Sequence, residues 1–298
     1  MNKLNASKTL VRSSIAAAAI LVFAGNAGAV SLVALSNNNQ IGTFDSSSAS
    51  IDLSTFNTIT GTAAGEYFVG IDLRPSDNMI YGISTANKIY TIDASTGTSS
   101  FVVDLSNSIV DSTKAYGLDI NPVADRTPNA SIRLVSSTGD NYAINANTGA
   151  VTVATSIAEG FTAVSYSNSD ASTPNVAPAS TELYYVNSTT DSLASATTAF
   201  NNPAISEVGP LGVDVLSANG FEITSTNSAF GAFNFDSNAL KTGLFTVDLD
   251  TGAATQTGLF SGTINGLAAA PIPEPETYAL FLAGLGLRGF VARRRKTA

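Results

Sequence analysis

Carboxylates are the residues in this sequence best suited to chemistry, because histidine, cysteine and tryptophan are all absent. Without histidine there is no Ser-His-Asp triad, no histidine-bound zinc and no axial histidine for haem. Without cysteine there is no disulfide, thiolate nucleophile or cysteine-bound metal. The chain also lacks a Gly-x-Ser-x-Gly elbow and a phosphate-binding loop. The composition therefore excludes most catalytic mechanisms, and we expect no catalytic residue and no cofactor.

Three Gly-x-Asp segments place a carboxylate at similar points in the sequence, at Asp72, Asp119 and Asp214. On one face of a ring, repeated carboxylates would suit Ca²⁺ or sugar hydroxyls. Alternatively, an Asp at the end of a strand accepts backbone N–H bonds and fixes a turn. Recurrence in successive copies favours the structural interpretation, because active sites usually break symmetry.

A second carboxylate pattern is "VDLDTG" (247–252), where Asp248 and Asp250 alternate as at the start of a calcium loop. The later ligands and the closing Glu of an EF-hand loop are missing. "DASTG" (93–97) and "NANTG" (145–149) occupy the equivalent turn with fewer acids. We therefore expect a turn there and assign no metal site, with Ca²⁺ as the alternative.

The elements that position these residues repeat along the chain with a period near 45 residues. Residues 68–105 and 115–155 both run Gly-x-Asp-x-x-Pro, an alternating apolar strand, a polar turn, a second strand and Thr-Gly. Residues 240–260 repeat the second half, and 32–51 and 181–197 are weaker copies. Short strands at this period predict an all-β, propeller-like body of about five four-stranded blades. The Thr-Gly glycines should take positive φ.

The ends of the repeat region predict how the ring closes. "TINGLAAAP" (263–271) resembles the first strand of a blade, whereas "LVALSNNN" (32–39) begins a blade without that strand. Together they would complete one blade and remove the exposed sheet edges. A pair of open β-sandwiches or a solenoid is the alternative architecture.

The repeat also resembles a bacterial domain family of unknown function that is often found in exported proteins. The resemblance rests on Gly70-Ile71-Asp72-Leu73-Arg74-Pro75, Tyr81-Gly82 and Ile89-Tyr90-Thr91-Ile92-Asp93, and it covers about residues 31 to 270. It implies a fold and brings no functional residues.

The N-terminus has the pattern of a secretory signal, predicted to form a helix over residues 1–29. Basic residues precede an apolar stretch from Ile15 to Ala24, and Ala27-Gly28-Ala29 supplies the small residues that a signal peptidase needs. We expect export by the Sec translocon and cleavage after Ala29. The body would then be residues 30–270.

Residues 271–298 form a third segment with its own pattern. Pro273, Glu274 and Pro275 precede an apolar run, Thr277 to Ala292, that predicts a short transmembrane helix. Arg293, Arg294 and Arg295 would stop transfer.

This segment resembles the PEP-CTERM sorting signal of Gram-negative bacteria. The resemblance implies processing by an exosortase, with Pro273-Glu274-Pro275 as the recognition triplet, in genomes that usually make exopolysaccharide. Arg288 departs from the pattern, because a hydrophobic residue is usual inside the apolar run. A permanent C-terminal anchor is the alternative.

Charge completes the sequence-based hypothesis. Six of the 14 basic and 21 of the 23 acidic residues lie between Val30 and Pro273, so this span carries −15. Such a body should repel nucleic acid. We expect an inner-membrane intermediate and then a non-catalytic protein of the cell surface or extracellular matrix, with exopolysaccharide as the candidate partner. A secreted carbohydrate-active hydrolase or lyase using an Asp/Glu pair is the alternative, and Tyr184 and Tyr185 are candidates for stacking on sugars, although core packing is expected of them.

Overall fold

The computed structural model describes residues 29–216, 219–236 and 241–272. These residues form 21 strands: β1 (Ser31–Ser36), β2 (Gln40–Asp45), β3 (Ser50–Ile51), β4 (Asn57–Thr58), β5 (Phe68–Arg74), β6 (Met79–Ser84), β7 (Lys88–Ile92), β8 (Ser99–Asp104), β9 (Tyr116–Ile120), β10 (Ser131–Ser136), β11 (Asn141–Asn145), β12 (Val151–Val153), β13 (Phe161–Tyr166), β14 (Leu183–Asn187), β15 (Ser192–Ala196), β16 (Ser206–Pro210), β17 (Gly220–Ile223), β18 (Ala229–Asp236), β19 (Lys241–Val247), β20 (Ala254–Phe260) and β21 (Ile264–Ala269). A single 3-10 turn, Leu53–Thr55, accompanies them in this part of the chain.

The strands are arranged as five blades. Blade 1 is β5–β8, blade 2 is β9–β12, blade 3 is β13–β16 and blade 4 is β17–β20, each an antiparallel sheet. Blade 5, the closing blade, has the order β21-β1-β2-β4. The predicted all-β propeller of about five blades is confirmed, in place of an open sandwich or a solenoid, and the sheet of blade 4 has β3 as a fifth strand.

The first strands of the blades, which we call the inner strands, line the centre of the ring. β5, β9, β13, β17 and β21 each lie beside the inner strands of the two neighbouring blades. Apolar side chains fill the space between successive blades, giving five separate buried clusters. Each blade thus buries its faces on its neighbours, which is why the ring is the stable unit.

The two ends of the body close the ring. β21 pairs antiparallel with β1, with Leu32 opposite Ala269 and Ala34 opposite Leu267. The predicted completion of one blade by both ends is confirmed. Because the last strand is donated to the first, β1 is paired on both sides, with β21 and with β2, and has no open edge.

A second N-terminal segment crosses to the neighbouring blade, which the sequence did not predict. Residues 50–51, placed in the closing blade by the repeat alignment, form β3 and pair in parallel with β20 of blade 4. The fourth strand of the closing blade is instead β4. The crossing extends the outer edge of blade 4, and the Leu53 N–H donates to Ser261 Oγ at 2.8 Å beside it.

The Thr-Gly turns between the third and fourth strands have the predicted backbone conformation. Gly97, Gly149 and Gly252 have φ of 74°, 69° and 81°. A Cβ at Gly149 would lie 2.0 Å from the carbonyl oxygen of Asp104 in the preceding blade. Glycine is therefore required both by the left-handed conformation and by the close approach of the two blades.

Both ends of the body lie on one face of the ring, which we call the exit face. It carries the loops that follow the inner strands and the Thr-Gly turns, because neighbouring strands run antiparallel. Val30 and Ile272 both line a cavity of about 230 Å³ on this face. The predicted signal helix and C-terminal transmembrane helix lie outside the described residues. Within those residues, no helix is long and apolar enough to cross a membrane.

Candidate functional site

The inner strands approach one another unusually closely at the glycines of the Gly-x-Asp segments. A Cβ on Gly117 would lie 2.7 Å from Ala163 Cα in the next inner strand. A Cβ on Gly220 of β17 would lie 2.7 Å from Leu267 Cβ in β21, the inner strand of blade 5. The small residue therefore lets neighbouring inner strands pack closely. The residue two positions later on each strand then points towards the centre of the ring.

Three carboxylates meet in the centre of the ring. Asp72 of β5, Asp119 of β9 and Glu222 of β17 each contribute an oxygen, and these oxygens all lie within 4.8 Å of one another. The three residues are only 2%, 2% and 3% exposed. We call them the channel carboxylates. The sequence indicated two of them but missed Glu222.

The third predicted Gly-x-Asp carboxylate does not belong to this site. Asp214 is exposed in the loop between β16 and β17. The true counterpart is Gly220-Phe221-Glu222, which differs from the other copies by one methylene in its acidic side chain. Asp72 and Asp119 lie within β5 and β9, so the turns expected there are wrong, whereas Asp72 accepts backbone N–H bonds as expected.

The channel residues link each inner strand to the next by side-chain to backbone contacts. Asp72 Oδ2 accepts from the Ile120 N–H at 2.8 Å, and Ser165 Oγ accepts from the Ile223 N–H at 2.9 Å. The Tyr166 N–H lies beside Asp119, and the Ala269 N–H lies beside Glu222. Blade 5 has Ala268 at the equivalent position, and its side chain cannot accept a hydrogen bond from the Leu73 N–H of blade 1. The Leu73 N–H donates to the adjacent Asp72 Oδ1 instead.

Burial dominates the electrostatics of the channel carboxylates. It raises the pKa of Asp72 to about 8, and the Ile120 and Leu73 N–H groups oppose this rise. Burial and the charge of Asp72 also raise the pKa of Asp119 well above its usual range. For Glu222, burial comes first, and Asp72 and Asp119 then add to the rise in pKa. Three anions this close and this deep cannot all be charged without a counter-charge.

Two buried arginines lie near the channel carboxylates in register, Arg74 on β5 and Arg133 opposite Asp119 on β10. The ion pairs Arg74–Asp77, Arg74–Asp125 and Lys114–Asp140 involve none of the channel carboxylates. Arg133 donates to Asn141 and Asn201 instead. Two carboxylate oxygens, Asp119 Oδ1 and Glu222 Oε2, are buried without a hydrogen-bond partner.

Space beside the channel carboxylates is small. A cavity of about 10 Å³ is lined by the residues that precede them on the inner strands, among them Gly70, Gly117 and Gly220. This is room for about one water molecule. A sugar ring does not fit here, so the site suits a proton or a small cation.

The other predicted cation candidate is a turn. Asp248 Oδ1 accepts from the N–H groups of Asp250 and Thr251 at 2.9 and 3.0 Å. These bonds lower the pKa of Asp248. Asp93 and Asn145 make the same contacts in the equivalent turns, as expected for turn chemistry.

The two tyrosines proposed for sugar stacking separate into core and surface. Tyr185 is 1% exposed and packs in the core, as expected. Tyr184 is half-buried and lines a cleft of about 700 Å³ between blades 3 and 4, which we call the exit-face cleft. Glu182 and Asp250 line the same cleft, and Tyr184 Oη donates to Glu182 Oε2 at 3.2 Å.

Arg74, which follows the first channel carboxylate in the repeat, joins blade 1 to blade 2. Its Nε donates to Asp125 Oδ1 at 2.6 Å, and Asp125 Oδ2 accepts from the Ser76 N–H at 2.7 Å. Arg74 Nη1 also donates to Tyr81 Oη at 3.1 Å. This arginine therefore acts in packing between blades.

Sequence comparisons agree with this architecture. Residues 32–268 match the family described as "Domain of unknown function (DUF4394)". The chain belongs to this family. Residues 271–296 match the PEP-CTERM protein-sorting motif, which marks this DUF4394 protein as an exported, exosortase-sorted protein of the cell surface. None of the curated proteins matches the chain.

Solved structures with a similar overall shape are distant. A chain of the nidogen/laminin complex has 9% identity and a TM-score of 0.48, covering 82% of this chain and 98% of its own. A protein of unknown function from Bacteroides thetaiotaomicron has 12% identity and a TM-score of 0.46, covering 79% and 58%. Hydrazine synthase of Kuenenia stuttgartiensis has 8% identity and a TM-score of 0.41, covering 67% and 51%. These values carry no functional information.

Most predicted processing residues lie outside the described residues. These are Ala27, the triplet Pro273-Glu274-Pro275 and the cluster Arg293, Arg294 and Arg295. Ala29 is exposed and precedes the first strand. At the other end, Ile272 exchanges two hydrogen bonds with the Asn78 side chain, of 2.5 and 2.8 Å. These bonds attach the chain to blade 1 at Ile272, the residue directly before the sorting triplet.

Proposed function

We propose that this DUF4394 protein is a non-catalytic component of the cell surface or extracellular matrix that associates with exopolysaccharide. The observation that carries the proposal is a sorting motif joined directly to a closed, acidic ring. Such a ring is a rigid unit that can be displayed or released without a disulfide.

The burial of the channel carboxylates supports a non-catalytic role. Glycosidases need a carboxylate pair that flanks the bond to be cleaved. The channel carboxylates are almost fully buried, next to a cavity of about 10 Å³. A polysaccharide does not reach them.

The exit-face cleft is where we place the polysaccharide. Tyr184 offers an aromatic face, and Glu182, Asp248 and Asp250 offer acceptors for sugar hydroxyls. Aromatic rings that keep a polar tip are suited to such contacts. Because the body carries −15, an uncharged polysaccharide is favoured over an anionic one.

The same cleft keeps the hydrolase alternative testable. Its three acids, Glu182, Asp248 and Asp250, are accessible, unlike the channel carboxylates. An enzyme would release shortened sugars and would lose turnover when one of these acids is removed. A binding protein would retain the polymer intact.

The exported protein should be screened against immobilised polysaccharides for retention and for released products. We expect retention of an uncharged polymer without products, and Tyr184→Ala should weaken retention about tenfold, the effect of losing one stacking contact of about 1.4 kcal/mol. Tyr67→Ala is the matched control, because Tyr67 is 52% exposed and lies outside the cleft.

Two results would overturn the proposal. One is product release that disappears in Glu182→Gln or Asp250→Asn. The other is a gene deletion that leaves biofilm and floc formation unchanged, together with no retention on any polymer.

A further inference from the structure

We propose that the channel carboxylates hold one divalent cation of the Ca²⁺ type at the centre of the ring. Asp72, Asp119 and Glu222 come from three different blades, so the cation would join these blades directly. This proposal is independent of polysaccharide binding, and from the sequence we expected no metal site.

The distances fit a shared cation. Ca²⁺ takes oxygen ligands at about 2.3–2.6 Å, so two ligand oxygens on one ion are at most about 5 Å apart. The channel carboxylate oxygens lie within 4.8 Å of one another. For Mg²⁺, with oxygens at about 2.0–2.1 Å, the limit is about 4.2 Å. Carboxylate oxygens that all lie within 4.8 Å of one another are therefore within reach of a single Ca²⁺ ion.

A second, independent observation points to a missing ligand. Asp119 Oδ1 and Glu222 Oε2 are buried with no hydrogen-bond partner, in residues that are 98% and 97% buried. Buried polar atoms are otherwise satisfied in native proteins, so such exceptions need an explanation. A cation between the three carboxylates would bind both atoms and neutralise most of the charge.

Coordination can be completed from nearby. The cavity of about 10 Å³, which has room for about one water molecule, is lined by the residues directly before the channel carboxylates and not by the carboxylates themselves. Ser165 occupies the equivalent position on β13, the inner strand of blade 3, and its hydroxyl lies beside Asp119. Oxygen-only donors of this kind suit Ca²⁺, Mg²⁺ or Mn²⁺ and not zinc or copper.

The competing explanation is proton sharing. A hydrogen bond between Glu222 and Asp72 favours the charged form of Asp72 and the protonated form of Glu222. With enough protons, the three groups need no metal. The experiment must therefore distinguish a bound cation from retained protons.

The exported protein should be purified without chelator, and its metal content measured by elemental analysis. We expect one Ca²⁺ per chain. After treatment with EDTA, titration calorimetry should recover one site for Ca²⁺ and weaker binding of Mg²⁺. Saturating Ca²⁺ at a hundred times its Kd should raise Tm by about 5 °C or more.

Two conservative variants and a matched control decide the location. Glu222→Gln and Asp119→Asn keep the side-chain shape and should each lose the Ca²⁺ and its effect on Tm. Asp248→Asn, in the surface turn, should keep both.

The proposal fails if the wild-type protein contains no divalent metal, gains no Tm from millimolar Ca²⁺ and shows the infrared band of a protonated carboxylic acid at neutral pH. Loss of Ca²⁺ binding in Asp248→Asn alone would place the ion in the surface turn and would also overturn it.

Discussion

The ion pair between Arg74 and Asp125 offers a quantitative test of how neighbouring blades are joined. The side chains of Arg74 and Asp125 are 10% and 0% exposed, and their atoms Nε and Oδ1 are 2.6 Å apart. Removing one member of a buried pair leaves an uncompensated charge and costs about 3–5 kcal/mol. Asp125 also accepts from the Ser76 N–H, so its loss removes a further bond.

We therefore expect Arg74→Ala to lower the free energy of unfolding by about 3 kcal/mol, a large part of the about 5–15 kcal/mol typical of a domain. The control is Lys114→Ala. Lys114 pairs with Asp140 at 2.7 Å, but the two side chains are 25% and 27% exposed. A pair that is this accessible contributes about 0–1 kcal/mol.

Urea unfolding of the exported protein, followed by circular dichroism, measures both variants. The slope m should stay constant, because the surface exposed on unfolding does not change. The double variant Arg74→Met, Asp125→Asn should recover much of the loss, since it leaves no charge at position 125 and keeps an acceptor for Ser76, while Asp77, the other partner of Arg74, is 33% exposed. The reasoning is refuted if Arg74→Ala costs no more than Lys114→Ala.

Two further outcomes follow from the core and from the channel carboxylates. Leu267, in the closing strand, is 2% exposed, and Leu267→Ala should lower the free energy of unfolding in urea by about 2–5 kcal/mol. Leu259 is 40% exposed, and Leu259→Ala should lower it by about 0.5 kcal/mol or less. Equal losses would contradict the closure of the ring by β21. In EDTA, the free energy of unfolding should fall as pH rises from about 4 to about 8, because the folded state keeps protons that the unfolded chain has lost: the pKa of Asp72 rises from 3.8 to about 8. The expected slope is about −1.4 kcal/mol per pH unit for each retained proton, and a stability that rises over this range would disprove the raised pKa.

Local patterns in the sequence were enough to predict the blades. Alternating apolar residues, bounded by Asn, Asp and Gly, predicted strands such as 88–92, and the Thr-Gly pairs predicted positive φ at Gly97, Gly149 and Gly252. These features depend on neighbouring residues only. The closing blade was also predictable, because its first strand is present at 264–269 and absent before Leu32.

The channel site was only partly predictable. Asp72 and Asp119 recur in equivalent copies, but their meeting in the centre depends on all five inner strands being brought together. Glu222 escaped because "GFEI" departs from "GIDL", while Gly212-Val213-Asp214 offered a closer match in the wrong place. The position of its strand could have identified Glu222. β17 precedes β18 and β19 in blade 4, just as β5 precedes β6 and β7 in blade 1.

The crossing of β3 to blade 4 was not predictable from pattern. The strand has only two residues, Ser50 and Ile51, and its parallel pairing with β20 joins segments that are about 200 residues apart. Periodicity carries no information at that length.

Donation of the last strand to the first sets the order of events during export. The body cannot close until the residues up to Ala269 are present, because β1 has no inner partner before then. Pro273 follows Ala269 by only a few residues, so the ring locks as the sorting triplet arrives. Cleavage at the sorting triplet would fall after β21, so the released ring would keep all of its strands.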